Sequence, residues 1–68
     1  MTLDEARIRA ALTISELARQ AGISRTTIEK MNAGIAVSAV SAQAVCNVLS
    51  QRLGRSLTPR ELGIAVSR

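Results

Sequence analysis

The chain has 68 residues, enough for one domain and too few for two. Apolar residues make up 47% of it and none is aromatic, which excludes a disordered chain and excludes base stacking on aromatic rings. The net charge of +4 favours polyanionic partners, whereas one Cys and no His offer neither a metal cluster nor an imidazole base.

Helix starts are marked by three pairs of residues with the spacing Thr-x-x-Glu. The pairs are Thr2 with Glu5, Thr13 with Glu16, and Thr58 with Glu61. In each pair the hydroxyl and the carboxylate can satisfy amides that a helix leaves without partners at its N-terminus. Pro59 strengthens the third start, because proline at the first helical position loses no hydrogen bond.

The apolar periodicity that follows these starts predicts an all-α fold, a compact five-helix bundle that spans residues 1–68 as one domain. The predicted helices cover residues 3–11, 14–20, 24–32, 38–53 and 59–66. Gly22, Gly34 and Gly54 separate them as turns or C-terminal stops. No segment alternates regularly enough to predict a strand.

Residues 14–33 have the pattern of two short helices that pack at a steep angle. Ala18 supplies a small side chain where the helix axes come close, and Gly22 can adopt the left-handed backbone of the tight turn. The apolar residues at inward-facing spacings are Leu17, Ala21, Ile23, Ile28 and Met31.

The second of these helices, 24–32, separates its residues by angle. Ile28 and Met31 face the predicted core, and Ser24 and Thr27 lie at its margins. The outward face consists of Arg25, Thr26, Glu29 and Lys30. This face is polar, short and basic at its N-terminal end, as a helix that inserts into the major groove must be.

The predicted helix 38–53 carries two apolar stripes. The main stripe consists of Ala42, Val45, Cys46, Leu49 and Leu53, and the second stripe of Val40, Ala44 and Val48. Either the helix is buried on both sides, or the second stripe meets another protein chain. Residues 31–51 carry no charge, but their scattered Asn, Gln and Ser residues make a membrane span costly, so we expect no membrane partner.

Two features bear on the cellular location. Asp4 and Glu5 interrupt the N-terminus, and no apolar segment of a signal peptide follows them. Cys46 cannot form an internal disulfide, and on the main stripe it is expected to pack as a small apolar residue. We therefore expect a cytoplasmic protein.

The segment from Thr13 to Gly34 resembles the Cro and phage-repressor family of helix-turn-helix regulators, also called the xenobiotic-response-element type. The resemblance is carried by the sequence Glu-Leu-Ala near its start, by Ala-Gly-Ile-Ser at the turn, and by the closing Gly34. It continues more weakly over most of the chain. It implies a lambda-repressor-like DNA-binding domain in which residues 24–32 form the recognition helix.

The resemblance also implies roles for individual residues. Ser24 would cap the recognition helix and donate to a phosphate, Arg25 and Thr26 would meet base edges, and Lys30 would lie further along the groove. Thr27 would contact backbone or base. Ser15 is also assigned to DNA, Arg19 would add a phosphate contact if it lies on the DNA side, and Ser38 is a further candidate for a phosphate contact. Ser38 has a simpler interpretation as the N-cap of the helix that follows it.

Glu29 is the one acidic residue on the predicted DNA face. It can pair with Arg25 four residues earlier, accept a hydrogen bond from a cytosine amino group, or repel phosphate. We expect the pairing with Arg25.

The sequence and the resemblance together predict a sequence-specific regulator of transcription that binds double-stranded DNA in the nucleoid and acts as a repressor. We expect no catalysis, no cofactor, no metal and no small-molecule substrate. A domain this small makes few contacts with DNA, so we expect a homodimer. The predicted dimer surface consists of Leu62, Ile64, Val66 and Val48. The alternative is a helical protein–protein adaptor or antitoxin-like subunit with the same fold.

Overall fold

A computed structural model describes residues 1–67 of the chain. These residues form four helices: α1 (Leu3–Arg9), α2 (Ile14–Ala21), α3 (Arg25–Asn32) and α4 (Ala39–Leu53). The ends of the first four predicted helices agree with these bounds to within two residues. The all-α prediction is therefore confirmed, whereas the number of helices is four and not five.

Each of the four helices begins at a hydroxyl side chain that caps it. Thr2, Thr13, Ser24 and Ser38 all have extended backbone and accept a hydrogen bond from an amide of the first turn. At α2 the bond is reciprocated, because the Thr13 amide donates to Glu16 Oε1 at 2.9 Å while the Glu16 amide donates to Thr13 Oγ1 at 3.0 Å. Local side-chain chemistry thus fixes where these helices start.

Helix α1 ends earlier than the sequence predicts, at Arg9 instead of residue 11. Ala11 adopts a left-handed backbone, with φ of 57°, which no α-helix can continue through. The turn directs Leu12 into the core, where it is 5% exposed. Arg7 secures this turn, since its Nη1 donates to the Leu12 carbonyl at 2.9 Å.

Helix α4 lies at the centre of the packing and contacts α1 and α2. Four of the five residues of its main apolar stripe, Ala42, Val45, Cys46 and Leu49, are 0% exposed, and Leu53 is half-buried against the core. The second stripe is neither fully buried nor fully exposed: Val48 packs against the core, whereas Val40 is 81% exposed. None of the helices found in residues 1–67 combines the length and the apolar content needed to cross a membrane.

The predicted fifth helix over 59–66 is wrong, because this segment makes a single turn. Thr58 does act as a cap, and its Oγ1 accepts from the Glu61 amide at 3.2 Å. Gly63 then takes a left-handed backbone, with φ of 70°, and ends the turn. Beyond it Val66 pairs with Val37 as an isolated parallel bridge, so the C-terminal segment is extended instead of helical.

The turn and the extended segment place apolar residues in the core of the single chain. Leu57, Leu62 and Ile64 are 4%, 2% and 6% exposed. The prediction that Leu62 and Ile64 form a dimer surface is therefore corrected, because these side chains already pack within their own protomer. Val66, which is 39% exposed, remains accessible to a partner.

Candidate nucleic-acid interface

The turn between α2 and α3 sets the direction of both helices. Gly22 ends α2 with φ of 72° and ψ of 30°, the left-handed conformation that the sequence predicts there. The Ile23 amide donates to the Ala18 carbonyl at 3.0 Å, and the Ala18 side chain is 5% exposed. A small residue thus lies beside the turn, as expected for a helix-turn-helix unit.

Helix α3 has one apolar side and one polar side. Ile28 and Met31 are buried, at 0% and 3% exposure. The residues predicted to face outward are all exposed: Arg25, Thr26, Glu29 and Lys30. The predicted orientation of α3 is therefore confirmed, and the polar face is open to a large partner.

The N-terminus of α3 is fixed by two hydroxyl groups. Ser24 Oγ accepts from the Thr27 amide at 3.2 Å and lies 2.8 Å from Thr27 Oγ1. Ser24 is exposed and Thr27 is half-buried, so they lie at the margin of the polar face, as predicted. The predicted capping role of Ser24 is confirmed by this geometry.

Arg25 and Glu29 form the predicted ion pair along the exposed face of α3. Arg25 Nε donates to Glu29 Oε1 at 3.2 Å, and the two side chains are 63% and 56% exposed. Arg25 also reaches the preceding helix, where its Nη1 donates to Ser15 Oγ at 3.4 Å. The Arg25 side chain therefore connects the N-terminal turns of α2 and α3.

Helix α2 contributes two further polar residues, Ser15 in its first turn and Arg19 in its last turn. Ser15 and Arg19 are both exposed. Hydrogen bonds from the Thr13 amide, and secondly the Thr13 hydroxyl, hold the pKa of Glu16 below its ordinary value of 4.5. Glu16 is therefore ionised at neutral pH and engaged with the helix cap, which limits its repulsion of a nearby anion.

A polar groove of about 290 Å³ lies where α3, the loop after it and the start of α4 meet. The polar side chains that line it are those of Thr27, Lys30, Ser38, Ser41 and Ser67. Ser38 caps α4, since its Oγ accepts from the Ser41 amide at 3.1 Å. The groove joins Lys30 and Ser38, which the sequence assigns to DNA separately.

Two of the polar residues of this groove were not predicted from the sequence. Ser41 stands three positions after the cap at Ser38, a spacing that could have indicated it. Ser67 has no such signal, because it reaches the groove through the pairing of the C-terminal segment with Val37. Among residues 1–67 the lining contains one cation, Lys30, and no carboxylate. The Lys30 ammonium and the Ser41 hydroxyl can donate hydrogen bonds to an anion, whereas the hydroxyls of Ser38 and Ser67 already donate to Ser41 Oγ and to the Val37 carbonyl.

Comparison with known proteins agrees with this geometry. A search of curated proteins and a search of solved structures each found no match. The family model of the Cro/C1-type HTH DNA-binding domain matches residues 2–54, a range that contains α1 to α4 and leaves out the C-terminal segment. The chain therefore belongs to the Cro/C1-type family of helix-turn-helix DNA-binding domains.

Proposed function

We propose that this protein binds specific sequences of double-stranded DNA through α3 in the major groove and represses transcription from the promoters that contain them. The observation that carries the proposal is the two-sided character of α3. Ile28 and Met31 anchor the helix in the core, whereas Arg25, Thr26 and Lys30 are exposed along its other side. Such a helix can enter the groove without disturbing the core.

The exposed side chains of α3 suit base edges. Arg25 can donate two hydrogen bonds to O6 and N7 of guanine, and Thr26 offers a hydroxyl together with a methyl group that can pack on thymine. Lys30, one helical turn beyond Thr26, can reach a base or a phosphate. We propose that these base contacts determine which DNA sequence the protein binds.

Phosphate contacts would fix the position of α3 in the groove. On one side we propose three exposed residues: Ser15 in the first turn of α2, Arg19 in its last turn, and Ser24 at the cap of α3. On the other side we propose the groove that holds Ser38 and Lys30, with Thr27 at its edge. Two sets of anchors on either side of a recognition helix orient it on the duplex.

We further propose a homodimer, because two copies of α3 would read half-sites roughly 34 Å apart on one side of the duplex. We propose a dimer surface made of Ile35, Val40 and Val66, which are large apolar residues with exposures of 52%, 81% and 39%. Val66 pairs with Val37, which lies between the other two in sequence. Sedimentation of Val40→Glu tests this surface: we expect a shift to monomer, and an unchanged monomer–dimer balance would refute it.

Repression would follow from occupancy of promoter DNA in the nucleoid of the cytoplasm, without catalysis. Bound protein would exclude other proteins from the same site.

Selection of bound sequences from a random duplex library, repeated at two salt concentrations, tests the function. We expect a palindromic motif whose affinity falls with salt. The double variant Arg25→Ala/Lys30→Ala should lose at least about tenfold in affinity for the motif. The matched control Arg9→Ala/Arg60→Ala removes the same charge from exposed positions outside the interface and should keep the motif. Recovery of no motif would refute sequence-specific binding, and a protein–protein adaptor would not respond to the first variant.

A further inference from the structure

The exposed face of α3 carries an acidic side chain where a DNA-binding surface would be expected to be basic. We infer that Glu29 is a positioning residue, which presents the terminal edge of the Arg25 guanidinium to DNA and so makes this contact selective for guanine in a G·C pair. The inference rests on the proposed binding of α3 in the major groove. It concerns which base Arg25 contacts and how Glu29 affects the preference for that base.

The hydrogen bonds of Arg25 decide which of its donors remain available. A guanidinium has a side edge, formed by Nε–H and one Nη2–H, and a terminal edge, formed by one hydrogen each from Nη1 and Nη2. Glu29 occupies the side edge, because its Oε1 accepts from Nε at 3.2 Å. Nη1 has two hydrogens and its bond to Ser15 Oγ, which is long at 3.4 Å, uses one of them; we assign the other to the terminal edge. Within residues 1–67, Nη2 makes no hydrogen bond to the protein.

The terminal edge offers two parallel donors, and the bases differ in how they can receive them. Guanine presents two neighbouring acceptors in the major groove, O6 and N7. Adenine presents one acceptor beside a donor, and thymine presents one acceptor beside a methyl group. An Arg25 that is held by its side edge therefore makes two bonds to guanine and one to either of the other two.

The ion pair is poorly placed to serve the stability of α3. Arg25 is the first residue of the helix, where the helix dipole disfavours a cation. The order Arg followed by Glu four residues later is also the less favourable order for such a pair. Both side chains are more than half exposed, so water and salt screen their attraction. A contribution to recognition accounts for the pair better than a contribution to folding.

Glu29 also changes the balance between specific and non-specific binding. Paired with Arg25 it makes a unit without net charge, so the pair adds little to the attraction of phosphates. The remaining cation of the face, Lys30, supplies that attraction. Removal of the Glu29 side chain should consequently raise the affinity for random DNA and reduce the preference for guanine.

Two variants of Glu29 separate its orienting action from its charge. Glu29→Gln keeps an amide oxygen that can accept from Arg25 Nε, whereas Glu29→Ala keeps no acceptor. We expect Glu29→Ala to lose about tenfold of its preference for guanine at one position of the motif, and Glu29→Gln to keep most of it. Both should bind random duplex more tightly than the wild-type protein. The control Glu5→Gln, which removes one negative charge from α1, should leave the base preference unchanged.

The binding profiles over all four base pairs at each position, measured at two salt concentrations, give the decisive readouts. A guanine preference that Glu29→Ala retains in full overturns the inference and leaves the proposed function standing, provided that Arg25→Ala abolishes the preference. A preference for this G·C pair that survives in Arg25→Ala and is lost in Glu29→Ala also overturns it, because Glu29 would then read the cytosine amino group directly. A wild-type protein that selects no motif overturns both proposals.

Discussion

Leu57 donates a hydrogen bond of 3.0 Å from its amide to Oγ of Ser50, which lies seven residues earlier in the last turn of α4. The chain reverses at this bond, because Gly54 ends α4 with a left-handed backbone and Leu57 returns to the core. Everything after the reversal lies outside the range of the family model and still supplies Leu62 and Ile64 to the core. The C-terminal segment is therefore part of the folded unit.

The first prediction follows from that burial. Leu62→Ala should lower the free energy of unfolding by about 2–5 kcal/mol, because it leaves a cavity in a small core. Ile8→Ala is the matched control, since Ile8 is 65% exposed and its truncation should change stability by less than about 0.5 kcal/mol. Urea unfolding followed by far-UV circular dichroism suits a chain without aromatic residues. Equal effects of the two substitutions would contradict the packing of the segment.

Ala11 and Gly22 both have a left-handed backbone, so we expect alanine to be less stable than glycine at each of the two positions. Ala11→Gly should raise the free energy of unfolding by about 1 kcal/mol, since it relieves a backbone with φ of 57°. Gly22→Ala should lower it by about the same amount through backbone strain alone, because no atom lies within 4 Å of an added Cβ. Ala33→Gly, at an ordinary φ of −85°, is the control and should be destabilising. Thermal melts would decide, and a loss of stability in Ala11→Gly would be the contrary result.

The capping box of α2 predicts a dependence of stability on acid pH. Hydrogen bonds from the Thr13 amide and then its hydroxyl lower the pKa of Glu16 in the folded state. The stability contributed by Glu16 is thus complete above its unfolded pKa of about 4.5 and is lost as the pH falls through the lower folded pKa. The difference in unfolding free energy between wild type and Glu16→Gln should be constant above this pH and shrink below it.

A titration by nuclear magnetic resonance checks the cause of this effect. In Thr13→Val the hydroxyl is gone and the amide remains, so the pKa of Glu16 should rise part of the way towards 4.5. The substitution should also lower the free energy of unfolding by about 1 kcal/mol through loss of the cap. A Glu16 carboxyl that titrates identically in both proteins would argue against the capping box.

Cys46 predicts a chemical signature of the folded core. Burial, and secondarily the charge of Glu61, raises the pKa of its thiol from 9.0 to about 11. At pH 8 the folded protein should react with iodoacetamide about a hundredfold more slowly than the protein in urea, because thiolate is the reacting species. The stability due to the protonated thiol is complete below pH 9 and is lost as the pH rises towards 11. Cys46→Ala should lack this alkaline loss, and rapid labelling of the native protein would contradict the buried position.

The sequence predicts well whatever depends on neighbouring residues. The caps at Thr13 and Ser38 involve residues three positions apart, so their spacing alone indicates where α2 and α4 begin. The polar face of α3 follows from the period of one helix, which places Arg25 and Glu29 one turn apart. These features needed no knowledge of the rest of the fold.

The errors arose where distant residues decide the structure. Thr58 gives a true capping signal, but a cap determines only the first turn and cannot show that Gly63 ends it. The extended backbone after Gly63 depends on pairing with Val37, which is 29 positions before its partner Val66 in the sequence. The exposed Val40 has a similar origin, since no segment of residues 1–67 covers that side of α4. Contacts of this kind leave no local pattern.

The pairing of the C-terminal segment with the loop before α4 has a practical consequence for affinity tags and fusion partners. Ser67 lines the groove that also contains Lys30, so a peptide joined directly after Ser67 would begin beside the surface through which we propose that the protein binds DNA. An acidic or bulky fusion at that end would compete with phosphate for the same space. A reporter joined there would register binding.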